Sequence, residues 1–286
     1  MLLGLPEEVV AQVLERLEGD GMSETAIRGT SRGLYEASEQ VMRRRLRREF
    51  GERGMCVAEE MDPSFNWRQK YAMLSQDWHF FDTDDIVDAR RQDIQEVRAD
   101  DLRQLQGLVR TGIWKRVMNG YYGGPNLFSS NVVHMHLRHK TVLFPGRYLV
   151  TLDMKVGNLT TLIPIRFNVT GNSVVPLRRN FPNADIRAIG VSAPDMYGRY
   201  MDNDNFQLCL GLVEVQGEDP QSVELEVEEV GMSVIRNILF NAVYYQRVRT
   251  ASPAEENGWI FRHHMASPPI NRQAYKSLHK IKTKSL

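Results

Sequence analysis

Seven histidines and two cysteines carry most of the chemical potential of this 286-residue chain. His134 and His136 are two residues apart. On a strand that spacing puts both imidazoles on one face, where a pair can ligate a metal. Such a site also needs a carboxylate a few residues on and a third histidine from another strand. The following residues are Lys140, Thr141, Val142 and Leu143, and His263, His264 and His279 all fall near the end of the chain. His139 is nearby, but on the opposite side if the strand continues. The pair therefore reads as a polar outward face, and neither a metal nor another cofactor is expected. Asp202-Asn203-Asp204-Asn205 has the composition of a calcium loop but lacks the glycine at the sixth position and the late bidentate glutamate. There is no glycine-rich phosphate loop, no Gly-x-Ser-x-Gly elbow and no Cys–His pair in a supporting context. Cys56 and Cys209 are far apart, which suits neither a disulfide framework nor a zinc site and fits a reducing compartment. No catalytic residue is expected.

The elements that would position these residues change character along the chain. From Ile113 onward the pattern is one of short strands. Val133, Met135 and Leu137 alternate with His134, His136 and Arg138, and Val223 to Glu228 alternates valine or leucine with glutamate. Residues 148–156, 162–169, 186–191, 206–215 and 235–248 complete about seven strands separated by turns. The expected architecture for residues 113–248 is an antiparallel β-sandwich. Two glycine-flanked aromatic loops, with Tyr121 and Tyr122 in one and Tyr197 and Tyr200 in the other, are the candidate target-binding surface at its end. Turn aromatics covering the core edge are the plainer account of both.

The amino-terminal residues follow a helical pattern. Pro6 suits a first helical turn, and Glu7 and Glu8 lie where the helix dipole favours carboxylates. Val9, Val10, Val13, Leu14 and Leu17 then form one apolar stripe, ended by Gly19 and Gly21. Leu5 to Leu17 resembles the opening of an F-box, Leu-Pro-x-Glu-aliphatic-aliphatic-x-x-aliphatic-Leu-x-x-Leu. Thr30 to Tyr35 falls where that family has its Ser-Arg-x-Leu segment, and Trp67-Arg68 with Tyr71 resembles the Trp-Arg-x-x-Tyr that commonly follows. A tryptophan usual before the family's last short helix is replaced here by Val41-Met42. The resemblance implies a helical module over residues 1–50 that docks on a Skp-type adaptor, and through it a cullin, by Leu5, Pro6, Glu8, Val9, Val10, Val13, Leu14 and Leu17. The strand series resembles, more loosely, the jelly-roll-type domain of phloem-lectin-like and sugar-recognising F-box proteins. That implies a protein or glycoprotein target; no sugar-contacting residue carries over.

The resulting fold class is α+β: an F-box-like helical module, a helical spacer over residues 51–112, the sandwich over 113–248 and a basic tail over 249–286. Gly51 to Pro63 reads as a loop. Asp82 to Asp85 reads as the cap of a helix over about 84–110, because Ile86, Ile94, Val97, Leu102, Leu105 and Leu108 are near helical spacing. Arg43, Arg44, Arg45, Arg47 and Arg48 read as a solvated helix face whose stems lie over apolar surface, since nearby glutamates offset the charge. Trp259, Ile260, Phe261 and Tyr275 would let part of the tail pack back. Lys+Arg and Asp+Glu are equal at 36 each, so nucleic acid is not a default partner. No apolar run reaches membrane-spanning length and the first residues do not resemble a secretion signal. A cytoplasmic or nuclear setting is expected. The function these readings converge on is the substrate-recognition subunit of an SCF-type cullin–RING ubiquitin ligase. A stand-alone lectin and a cupin-like metal enzyme using His134 and His136 are the alternatives.

Overall fold

The computed structural model describes residues 32–87, 94–98, 113–120, 124–130, 132–133, 135–156, 165–181, 206–229, 234–235, 238–251, 253, 261–262 and 272–284. These fall into two compact units, residues 32–75 with 280–284, and residues 76–279. The chain is α+β, with helices in the first unit and mostly antiparallel sheets in the second. No described helix is long and apolar enough to cross a membrane.

The helical unit contains α1 (Arg32–Glu60) and α2 (Trp67–Ser75). Arginine, glutamate, methionine and alanine dominate α1, all good helix formers. Gly51 interrupts it with φ 66° and ψ −169°. The interruption is a reversal. Sixteen residues of straight helix rise about 24 Å, yet Arg43 Nη2 lies 3.3 Å from Glu59 Oε1. The arms on either side of Gly51 therefore run back along each other. The loop expected over Gly51 to Pro63 is instead a turn at Gly51 and a helical arm to Glu60, because the apolar residues Met55, Val57, Ala58 and Met61 have a face to bury. The arginine cluster is paired: Arg45 with Glu49, Arg47 with Glu52, and Arg43 and Arg45 over the rings of Trp67 and Tyr71. Trp67 N–H donates to Glu39, and Tyr71 O–H donates to Glu49 at 2.7 Å.

The second unit begins at Gln76, with strands that the expected spacer boundaries did not include. Its strands are β1 (Gln76–Phe80), β2 (Ile94–Arg98), β3 (Ile113–Gly120), β4 (Gly124–Ser130), β5 (Val132–Val133), β6 (His136–Leu143), β7 (Gly146–Val156), β8 (Ile165–Gly171), β9 (Leu177–Phe181), β10 (Phe206–Val215), β11 (Gln221–Glu229), β12 (Val234–Ile235), β13 (Ile238–Arg247) and β14 (Phe261–Arg262). The large sheet has the order β14-β10-β7-β13-β4-β3-β2, and β1 also pairs with β13. A four-stranded sheet has the order β6-β11-β8-β9, and β12 pairs with β5. One core lies between the two sheets. Tyr148, Val150, Leu152 and Met154 of β7 face Leu137 of β6, Phe167 and Val169 of β8, and Val223, Leu225 and Val227 of β11 across it.

The helix expected over 84–110 is not formed where the chain is described. Thr83–Asp85 is a single 3-10 turn and residues 94–98 are β2, parallel to β3. Ile94 and Val97 have helical spacing, but the pairing partner decides. The carboxy-terminal residues are more than a tail. β14 pairs with β10, and α3 (Arg272–Lys284) buries Leu278 and Tyr275, the latter in line with the expected packing.

β7 is buried on both faces. Opposite the core, Asp153 accepts from Asn241 at 2.7 Å and from Gln207 at 3.1 Å, and Gln207 accepts from the Tyr244 hydroxyl at 2.9 Å. Asn241 is also where the register between β13 and β7 shifts by one residue. Its carbonyl accepts from Phe81 N–H at 3.1 Å, which fixes where β1 leaves the sheet.

Candidate functional site

The site starts from the alternation of β1. Trp78 faces away from the core and stacks on Tyr244 at 4.3 Å, so its neighbours Asp77 and His79 turn the other way. After Phe81 the chain crosses from the large sheet to the small one. Asp82 caps the 3-10 turn: its carboxylate accepts from Thr83 N–H and its own N–H donates to Asp85 Oδ2, both at 2.8 Å. Ile86 then bridges Leu137, and Val87 N–H donates to the His136 carbonyl at 2.9 Å. Asp85 is thereby fixed at the crossing, beside the inward residues of β6. Those are Leu137, His139, Thr141 and Leu143.

Three histidines and two aspartates meet where β1 faces β6. His79 and His139 stack with ring centroids 3.5 Å apart and planes 14° from parallel. His79 Nε2 lies 2.9 Å from each oxygen of Asp85. His139 Nδ1 lies 4.0 Å from Asp85 Oδ1. His279, from α3, stands edge-on to both rings at 6.0 Å. Its Nδ1 is 3.3 Å from Thr141 Oγ1, and its Nε2 is 3.1 Å from the Trp78 carbonyl and 3.3 Å from Asp77 Oδ1. The Thr141 hydroxyl donates to Asp77 at 2.8 Å. With that proton committed to Asp77, both nitrogens of His279 face acceptors, an arrangement suited to the imidazolium. Asp77 is then its counter-charge.

Burial makes this an unusual place for ionisable groups. Asp77 is fully buried, and His139 and Asp85 retain 3% and 8% exposure. Buried charges persist where they are paired and hydrogen-bonded. Tyr245, opposite Asp77 in the β1–β13 register, has a buried hydroxyl with no hydrogen-bond partner among the described residues. Burial first, and then the nearby Asp77 and Asp85 carboxylates, push its pKa well above the usual tyrosine value.

Sequence reasoning missed this group. His139 does face inward, opposite His136, as alternation implies. Its partner His79 stands in a stretch read as spacer, Asp85 in a stretch read as a helix cap, and His279 in a stretch read as tail. Alternation of Asp77, His79 and Phe81 was the one available signal. His136 faces outward and lies 3.6 Å from Glu226. His134, the docking residues Leu5, Pro6, Glu8, Val9, Val10, Val13, Leu14 and Leu17, and the loop tyrosines Tyr121, Tyr122, Tyr197 and Tyr200 lie outside the described residues, as does Asp202 to Asn205.

No protein-family model matches the chain. No curated protein matches it in sequence. Among solved structures, the mosquito-larvicidal Cry4Aa toxin from Bacillus thuringiensis matches 45% of this chain at 13% identity and a TM-score of 0.28. The insecticidal crystal protein Cry2Aa matches 44% at 8% identity, also with a TM-score of 0.28. A Podospora anserina GH26-CBM35 β-(1,4)-mannanase matches 51% at 13% identity with a TM-score of 0.26. The match covers 20%, 17% and 27% of those chains, respectively. Likenesses of this degree carry no argument about fold or function.

Proposed function

We propose that this chain is the substrate-recognition subunit of an SCF-type cullin–RING ubiquitin ligase. The observation that carries the reading is the Leu5–Leu17 motif, which stands directly ahead of a helical unit that is separate from a sheet unit. In this reading residues 1–50 form an F-box-like module. Leu5, Pro6, Glu8, Val9, Val10, Val13, Leu14 and Leu17 meet a Skp-type adaptor, which links the chain to a cullin. Each buried aliphatic contributes about 1.5–3 kcal/mol, so a few shared across the interface are enough for stable association. The sheets form a jelly-roll-type sandwich that selects a protein or glycoprotein target in the cytoplasm or nucleus. The loops holding Tyr121, Tyr122, Tyr197 and Tyr200 supply the recognition surface. The chain performs no bond-making step of its own; ubiquitin transfer belongs to the ligase it joins.

The test is co-expression of the full chain with a Skp-type adaptor and capture of the complex. Wild type is expected to co-purify in equal amounts. Leu5→Ala combined with Pro6→Ala is expected to abolish capture while the thermal unfolding of the sheet unit is unchanged. Capture retained by the double variant, or no complex with wild type, would sink the assignment.

A further inference from the structure

We propose that His79, Asp85 and His139 form a binding site for one divalent transition-metal cation, zinc foremost. The site does not depend on the ligase reading. One nitrogen from each histidine and one oxygen from Asp85 all lie within 4.8 Å of one another. Zinc bonds of 2.0–2.1 Å to nitrogen and oxygen in tetrahedral geometry place neighbouring ligand atoms about 3.3 Å apart. The His79–Asp85 separation of 2.9 Å and the His139–Asp85 separation of 4.0 Å bracket that value. An imidazole donates in its ring plane, so binding turns the part-exposed His79 out of its stack on His139 to aim both nitrogens at one ion.

Two imidazoles and one carboxylate are a donor set that zinc takes, and a bound ion gives the buried Asp85 carboxylate a counter-charge. The outer layer is also built. Asp85 Oδ2 is held by Asp82 N–H, which leaves Oδ1 turned to the histidines. His279 walls the site edge-on while its own nitrogens face Thr141, Trp78 and Asp77. The fourth position of a three-ligand zinc site takes water. His79 keeps 22% side-chain exposure, which gives an entry path. The ligands come from β1, from β6 and from the crossing between them. A bound ion would clip the two sheets together at this edge.

The experiment uses the full chain, stripped with a chelator, dialysed against zinc chloride and analysed for metal content. One zinc per chain is expected, together with a higher thermal transition than the stripped protein. Cobalt(II) in place of zinc should give the visible absorption of a tetrahedral site. His79→Gln and Asp85→Asn should each weaken uptake at least about tenfold. His136→Gln, on the outward face, should leave it unchanged. His79 is part exposed, so its variant keeps the fold, checked by circular dichroism, where a change at the buried His139 could lose it. Failure of the wild-type chain to retain metal would overturn the proposal. So would equal uptake by His79→Gln and Asp85→Asn, which would put the ion elsewhere.

Discussion

The helical unit and the sheet unit use aromatic and charged residues in opposite ways. In the helical unit Phe50 is buried, but Trp67 and Tyr71 are part exposed and carry cations. Arg43 and Lys70 stand over Trp67 at 5.0 and 4.9 Å, and Arg45 stands over Tyr71 at 4.7 Å. Glu39 and Glu49 complete the network. In the sheet unit the large rings are sealed from water. Trp78, Tyr148, Phe167, Phe240, Tyr244 and Tyr245 are all nearly or fully buried. There two groups of charged residues stand out. On the outer face of the small sheet Arg138, Lys140 and Arg166 pair with Glu224, Glu226 and Glu228. Inside, the His–Asp cluster compensates its own charge. The difference is one of solvent. A half-exposed ring gains from a cation beside it, whereas a buried ring contributes mainly the area it removes from water.

The sharpest way to break the comparison is to remove a sealed ring. Phe240 is fully buried and meets Phe81 edge-on at 5.9 Å. Phe240→Ala should destabilise the sheet unit by about 3–5 kcal/mol, because transfer and cavity costs add in a core that cannot collapse freely. Chemical denaturation followed by near-ultraviolet circular dichroism measures it. A loss under about 1 kcal/mol would mean the core relaxes around the gap and the sealed-ring account is wrong.

Alkaline titration separates the units next. Burial raises the pKa of Tyr148, Tyr244, Tyr245 and Tyr275 above the ordinary tyrosine value of about 10. Between that value and the folded one, the unfolded chain has lost protons that the folded chain keeps. Stability therefore falls as pH rises past about 10, four times over in the sheet unit. In the helical unit two shifts oppose each other. Burial and the hydrogen bond to Glu49 raise Tyr71, which acts in the same sense as the others. Burial lowers Lys70, so from its folded value up to the ordinary lysine value of 10.5 the unfolded chain binds the extra proton and stability rises with pH there. Tyrosinate absorbance should lag the ordinary titration until the sheets unfold, while the helical signal persists to higher pH. Helical loss preceding sheet loss would reverse the assignment.

The same contrast explains what could be read in advance. β11 was legible because one face is apolar and the other acidic, and Val223, Leu225 and Val227 are fully buried as alternation demands. β7 was legible as Tyr148-Leu149-Val150 followed by alternation of Leu152, Met154 and Val156 with Thr151, Asp153 and Lys155. β1 was not, since Leu74 and Ser75 pass from helix to strand with no glycine or proline between them. β2 was misread because a strand of five residues offers too few repeats to tell period two from 3.6. The His–Asp cluster was illegible for another reason. His139 and His279 lie 60 and 200 residues along the chain from His79, so no local spacing announces them. The sequence displayed His134 and His136 instead, of which His136 is turned outward.

The smallest effect sharpens the comparison from the helical side. Arg43 lies over Trp67 and also reaches Glu59, with about half of each charged side chain exposed. A cation over an exposed ring contributes about 0.5–1 kcal/mol. An exposed ion pair contributes about 0.2–1 kcal/mol and is screened by salt. A double-mutant cycle of Arg43→Ala with Trp67→Ala, repeated with Glu59→Ala, separates the two. The Glu59 coupling should fade at high ionic strength while the Trp67 coupling holds, because part of that contact is the packing of the guanidinium on the ring. If both couplings vanish in salt, the ring serves only as a neighbour to the charge. The helical unit would then rest on its buried residues, Leu46, Val57 and Ala58 among them, in the same way the sheets rest on theirs.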